Sequence, residues 1–173
     1  MLVKQQNPWK LSLQEHPLVR GNQSHVSCLR LSSHFLVLII TSTCCFPKNK
    51  EEGDVWEITT GATEISIEQL ALHMDNNTIN IEVWHRPGVS DPVYADSYAL
   101  AFSSSVTGSG PGVPTLLPAF SSPISIPPNS SHTFYTTGTT DPLSIYYTSG
   151  TSLHSTFASD SYIDIKEGWS LRF

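Results

Sequence analysis

Beyond residue 45 the chain has no cysteine, and beyond residue 50 it has only three basic residues, Arg86, Lys166 and Arg172. The first absence excludes a disulfide framework from residues 51–173, so any core there forms without covalent cross-links. The second excludes a surface able to neutralise a run of phosphates, and with it nucleic acid as a partner. Fourteen of the fifteen acidic residues lie in this acidic part. Residues 1–50 hold the other six basic residues, a single acid, Glu15, and all three cysteines, Cys28, Cys44 and Cys45. A basic leader over 1–50 thus precedes an acidic domain over 51–173, which is long enough to bury its own core.

Long apolar runs are also missing. The most apolar stretch, Phe35-Leu-Val-Leu-Ile-Ile40, extends in diluted form to Cys44-Cys45-Phe46. It is about half the ~20 residues of a membrane-spanning helix. It has the length of a signal-peptide core, roughly 7–15 residues, yet more than thirty residues precede it. Three readings compete: a targeting run at 35–46 behind a long amino end, a buried first strand of the domain, and a leader foreign to the domain. The rest of the leader, with Asn7-Pro8, His16-Pro17 and Gly21-Asn22, has no sustained periodicity and is expected to be poorly ordered. Cys28 and the adjacent Cys44-Cys45 fit no zinc spacing with His25 or His34.

Helical periodicity is absent from 51–173, where period-2 alternation takes its place. Trp56 and Ile58 alternate with Val55 and Glu57; Ile65 and Ile67 follow. The phase then slips before Leu70, Leu72 and Met74, which predicts a bulge at Glu68-Gln69. Asp75-Asn76-Asn77 reads as a turn, after which Ile79, Ile81 and Val83 point inward and Pro87-Gly88 stops the strand. Tyr98, Leu100 and Phe102 are expected to form a further inward row. Gly108–Gly112 is a loop, and Pro114–Pro118 an edge segment. Ile124-Ser-Ile126, His132–Thr137 and Leu143–Tyr147 read as strands, and Phe157 as a short bridge. Tyr162–Ile165 alternates again, Glu167-Gly168 turns, and Trp169–Phe173 begins a last strand. About eight to ten short strands with frequent turns predict an all-β fold, an antiparallel, jelly-roll-like β-sandwich.

These segments carry a resemblance. Ile81-Glu-Val-Trp-His-Arg-Pro-Gly88, Gly108-Ser-Gly-Pro-Gly-Val-Pro-Thr115, Phe134-Tyr135, and Phe157-Ala-Ser-Asp160 ahead of Ile165-Lys-Glu-Gly168 occur in that order. Together they resemble an uncharacterised secreted β-sandwich module found in many copies in diatoms and related algae and in some bacterial surface proteins. The resemblance spans roughly Gly53 to Gly168. It implies extracellular placement and a structural or surface role, and no catalytic residues. In that module a further strand follows the Glu-Gly turn, so the resemblance also implies a closing strand that this chain lacks after Phe173. Other copies of the module, or Phe35–Ile40, are the expected substitutes.

Catalytic motifs are scarce too. There is no Gly-x-Ser-x-Gly, no His-Glu-x-x-His and no phosphate loop. His73, His85, His132 and His154 share no ligand spacing and read as strand-surface residues. Asp75-Asn76-Asn77 with Asp54, Asp91 and Asp160 offers oxygen ligands for calcium, against the simpler reading of a turn. Trp56, Trp84, Tyr94, Tyr146, Tyr147 and Trp169 offer either core packing or a platform for sugar rings, with Trp84 and Tyr94 the ligand-binding candidates. Asn76 and Asn129 head sequons on predicted turns; Asn22 heads a third. The expectation is a non-enzymatic protein without cofactors, secreted or at the cell surface, acting in adhesion, wall association or display. Its expected partners are wall or surface glycans or further copies of itself. The alternative is a carbohydrate-binding module using exposed aromatics, with or without calcium.

Overall fold

A computed structural model describes residues 26–30, 35–40, 53–89, 97–140, 145–146 and 151–171. All regular structure among these residues is strand, apart from one residue of 3-10 turn at Ser97. The strands are β1 (Val26–Arg30), β2 (Phe35–Ile40), β3 (Gly53–Thr60), β4 (Ile65–His73), β5 (Thr78–Pro87), β6 (Ala99–Thr107), β7 (Pro114–Leu116), β8 (Ile124–Ile126), β9 (Ser131–Gly138), β10 (Thr156–Ser159) and β11 (Ile163–Leu171). They form two sheets. One is six-stranded, in the order β10-β11-β3-β9-β5-β6, with every pair antiparallel. The other is five-stranded, in the order β1-β2-β4-β7, with β8 also pairing β4.

One apolar cluster joins the two sheets and makes them a sandwich. Trp56, Ile58, Ile79, Ile81, Val83, Phe102, Val106, Phe134, Ile163 and Ile165 come from the six-stranded sheet. Ile65, Ile67, Leu70, Leu72 and Met74 of the β4 segment meet them, with Leu117, Phe120, Ile124 and Ile126. The alternation read from the sequence is what puts these side chains on inner faces. Trp56 stacks on Phe134 with centroids 4.5 Å apart, and its indole N–H donates to the Thr136 hydroxyl at 3.4 Å.

The phase slip in β4 is a bulge at Glu68. The β2–β4 register passes from Ile67 directly to Gln69. The bulge divides the other edge of β4: β8 pairs Ile65–Ile67, and β7 pairs Ala71–His73. The freed groups are used, since the Glu68 carbonyl accepts from Phe120 N–H at 2.8 Å and Gln69 Nε2 donates to the Leu117 carbonyl at 2.6 Å.

Two sequence expectations change. Leu100 does not share a face with Phe102, because β6 bulges at Ala101; Phe102 is buried and Leu100 is 48% exposed. Glu167-Gly168 is a bulge inside β11, not a turn between two strands. There a Gly168 Cβ would stand 1.5 Å from the Val55 carbonyl oxygen, so only glycine fits. Of Leu143–Tyr147, only Ile145 and Tyr146 are described, and Ile145 makes a single bridge to Met74. The run Phe35–Ile40 is β2, and it lies parallel to β4.

Candidate functional site

The outer face of the six-stranded sheet gathers several aromatic and charged side chains left over from the core. Residues paired across antiparallel strands project from the same face. Trp169 pairs with Val55, Val55 with Tyr135, Tyr135 with Trp84, and Trp84 with Leu100. A row therefore crosses five strands at right angles to the chain, with three aromatic residues in it. Trp84 is on this face because Ile79, Ile81 and Val83 take the other side of β5. Trp84, Tyr135 and Trp169 are half-buried.

Polar residues flank the row. On one side, Glu82 Oε2 accepts a 3.0 Å hydrogen bond from the Trp84 indole N–H, which fixes the ring. On the other side lie Arg86, Thr133 and Glu57, neighbours across β5, β9 and β3. The Arg86 guanidinium stands 5.4 Å from the Tyr98 ring centroid and donates to the Val89 carbonyl at 2.9 Å. Tyr98 meets Tyr135 edge-on at 6.4 Å. Tyr135 itself leans across Gly53, where a Cβ would come within 2.4 Å of the ring. Glu57 is buried, unusual for a carboxylate. Thr59 Oγ1 donates to it at 3.5 Å, and His154 Nδ1 lies 3.7 Å away. His154 holds a left-handed backbone, φ 64°, rare for a residue with a Cβ. Val55, Glu57 and Thr133 of this row and its border are buried; the half-buried Trp84, Tyr135 and Trp169 rings, with the Glu82 carboxylate and the Arg86 guanidinium, offer the chemistry that stacks on and hydrogen-bonds a sugar ring.

The structure sorts the aromatic candidates. Trp84 and Trp169 join the face. Trp56 is core. Tyr146 stands elsewhere, its hydroxyl hydrogen-bonded to Asp75; burial and that carboxylate push its pKa up to about 12. Tyr94 and Tyr147 lie outside the described residues. Tyr135 and Tyr98, absent from the candidates named above, belong to the face. Tyr135 carried a signal, since it alternates out of phase with the inward Phe134; Tyr98 was assigned inward. The acids proposed for calcium separate: Asp75 binds Tyr146, Asp160 accepts from the N–H groups of Tyr162 and Ile163 at 2.7 and 2.9 Å, and Asp91 is not described. Among the described residues no three His, Cys, Asp or Glu side chains are grouped to hold a metal ion.

Two histidines read as surface residues are buried. His73 is 3% exposed, and burial lowers its pKa. His132 is 4% exposed and meets His85, ring nitrogen to ring nitrogen, at 2.8 Å. Burial first, then the neighbouring His85, bring its pKa down to about 4. Asn76 and Asn129 are both exposed in turns, and Asn129 takes the left-handed geometry, φ 51°. Asn76 precedes the start of β5, whereas Asn129 precedes β9, whose first residues pair with the end of β5. The two acceptors thus stand at opposite ends of the sheet. The chain matches no family model, no curated protein and no solved structure.

Proposed function

We propose that this protein is a non-enzymatic β-sandwich of the secreted or cell-surface class that associates with wall or surface glycans. Adhesion or display is the role we assign it. The observation that supports the reading is the cross-strand row Trp169–Val55–Tyr135–Trp84–Leu100, with its polar borders. Sugar rings present apolar C–H faces to aromatic rings and hydroxyls to carboxylates and guanidinium groups, and both are supplied on one face. The sequons favour the same compartment: sugars attached at Asn76 and Asn129 would stand at the two ends of the sheet. The resemblance to secreted algal modules points the same way.

The leader enters this proposal through Phe35–Phe46. A secretory reading and strand β2 make opposite demands on the same residues, because cleavage near Pro47 would remove β2. Amino-terminal sequencing of the exported product separates them. A start near Pro47 supports the targeting run, and an intact Met1 on a cytosolic product contradicts it.

The function is tested by applying the full chain to an array of plant, algal and bacterial wall polysaccharides, with Trp84→Ala beside it. Retention on at least one polysaccharide, weakened tenfold or more by Trp84→Ala, is the expected result. No retention anywhere, or retention indifferent to Trp84, overturns the reading.

A further inference from the structure

Sheet edges carry unpaired backbone groups, and proteins guard them with short strands, proline or charge. Most edges here are guarded in that way. β10 is four residues long. β7 has three and begins at Pro114, and β8 has three and runs into Pro127. β1 has five and ends on Arg30. The remaining edge is β6, the terminal strand of the six-stranded sheet, with nine residues. Its sequence, Ala99-Leu-Ala-Phe-Ser-Ser-Ser-Val-Thr107, has no charge and no proline. Past the bulge at Ala101, Phe102–Thr107 pairs with β5 without irregularity. On its other side, among the described residues, the only hydrogen bond to a β6 backbone group beyond the β5 ladder is the Ser104 hydroxyl on the Ser105 carbonyl, 3.5 Å.

We propose that β6 is the contact surface for a second copy of this chain, which adds its own β6 antiparallel and makes one continuous sheet. The occupant follows from charge and symmetry. Residues 51–173 hold fourteen acidic and three basic residues, so the sandwiches of two copies repel over most approaches. Strand β6 is a neutral strip where they can meet without like charges opposed. An antiparallel pair obeys a two-fold axis normal to the sheet, the commonest symmetry of homo-oligomers. Paired residues must share a face, so the axis falls on a residue and not between two. Centred on Ser104, it sets Phe102 opposite the partner's Val106 on the inner side and Ser103 opposite the partner's Ser105 on the outer side. Phe102 and Val106 are the two buried residues of β6, and Ser103 and Ser105 are exposed and small enough for close approach.

That axis also keeps both outer faces on one side, which brings the two rows ending in Trp84 and Leu100 into one surface. If the glycan reading holds, the pair is bivalent, and its retention on a polymer exceeds that of either copy alone. This consequence rests on that reading; the contact itself does not. A single strand pair buries less than the roughly 1,200 Å² of a stable interface, so the association is weak.

The test is sedimentation equilibrium on the full chain, without glycan, from micromolar to near-millimolar loading. A reversible dimer is expected. Ser103→Lys with Ser105→Lys opposes lysines across the pair and should weaken it at least tenfold, with an unchanged circular dichroism spectrum. An independent variant guards against misfolding. Ser104→Cys, on a background of Cys28→Ser, Cys44→Ser and Cys45→Ser, places two thiols across the axis. Facing Cα atoms in such a pair are about 4.5–5.5 Å apart, within disulfide reach. It should oxidise to a covalent dimer, whereas Ser121→Cys on the same background should not. A chain monomeric throughout the range overturns the proposal, as does a dimer indifferent to the lysines. So does a Ser104→Cys variant that never cross-links. Capture of a peptide copied from β2 by an otherwise monomeric chain would give the edge to a different strand, and overturns it too.

Discussion

His85 and His132 are 47 residues apart in sequence and 2.8 Å apart at their ring nitrogens. Neutral, they share one hydrogen bond, one ring donating and the other accepting. Doubly protonated, they place two cations in contact against Phe134. From the other strands around them, β3 presents Ile58 beside His132 and β6 presents Ala99 beside His85; neither is ionisable. Both pKa values lie below the ordinary 6.5, that of His132 at about 4. The unfolded chain therefore binds protons more readily than the folded one between these values. Stability contributed by the pair is complete above about pH 6.5 and is lost as pH falls toward about 4. The loss is about 2–3 kcal/mol for His132. Urea titrations at pH 7 and pH 4.5 should show it, and His132→Phe should flatten the difference; an equal slope in both proteins would contradict the account. A second residue-scale expectation concerns Gly168. Gly168→Ala drives a Cβ into the Val55 carbonyl and should cost about 3 kcal/mol, read as a lowered urea midpoint. Neither feature was legible in the sequence. The histidines share no spacing because their contact is made by the β5–β9 pairing, and Glu167-Gly168 has the composition of a turn whether it ends a strand or bulges within one.

At the scale of elements, β3 and β9 lie inside the six-stranded sheet with full-length neighbours on both sides, whereas β7, β8 and β10 are short and outermost. Amide exchange should follow that order: slowest in Trp56–Ile58 and Thr133–Thr136, fastest in β7, β8 and β10. Uniform exchange across the strands would contradict the topology. Most inner-facing positions could be read from the sequence, because a period of two survives wherever one sheet face is buried. Ile79, Ile81, Val83, Ile163 and Ile165 are instances. The Glu68 bulge was legible for the same reason, as a change of phase. The bulge at Ala101 was not: Leu100 and Phe102 are both apolar, so no phase change marks it. The parallel partnership of β2 with β4 was also hidden, since strand patterns state which face is apolar and not which neighbour lies beside it. The candidate face was legible in part. Trp84 declared itself by opposing three inward aliphatics, and Tyr135 carried a weaker signal by alternating with Phe134; Tyr98 and Arg86 joined the face only through cross-strand register.

For the whole molecule, the core tolerates little loss. Phe134 is fully buried and stacked on Trp56, so Phe134→Ala should cost about 3–5 kcal/mol, a large share of the roughly 5–15 kcal/mol of a typical domain. Thermal unfolding followed by near-ultraviolet circular dichroism reads this directly. The sandwich leaves one sheet face with its rings in a row and the other sheet with a different exposed surface, including Leu116, 53% exposed on β7. This asymmetry makes the proposed function decidable by calorimetry. A polysaccharide fragment retained by the full chain is titrated into the wild type, Trp84→Ala and Leu116→Ala. The account predicts that Leu116→Ala binds as the wild type does and that Trp84→Ala loses at least tenfold, with its fold intact. Equal loss in both variants, or loss in Leu116→Ala alone, would contradict it.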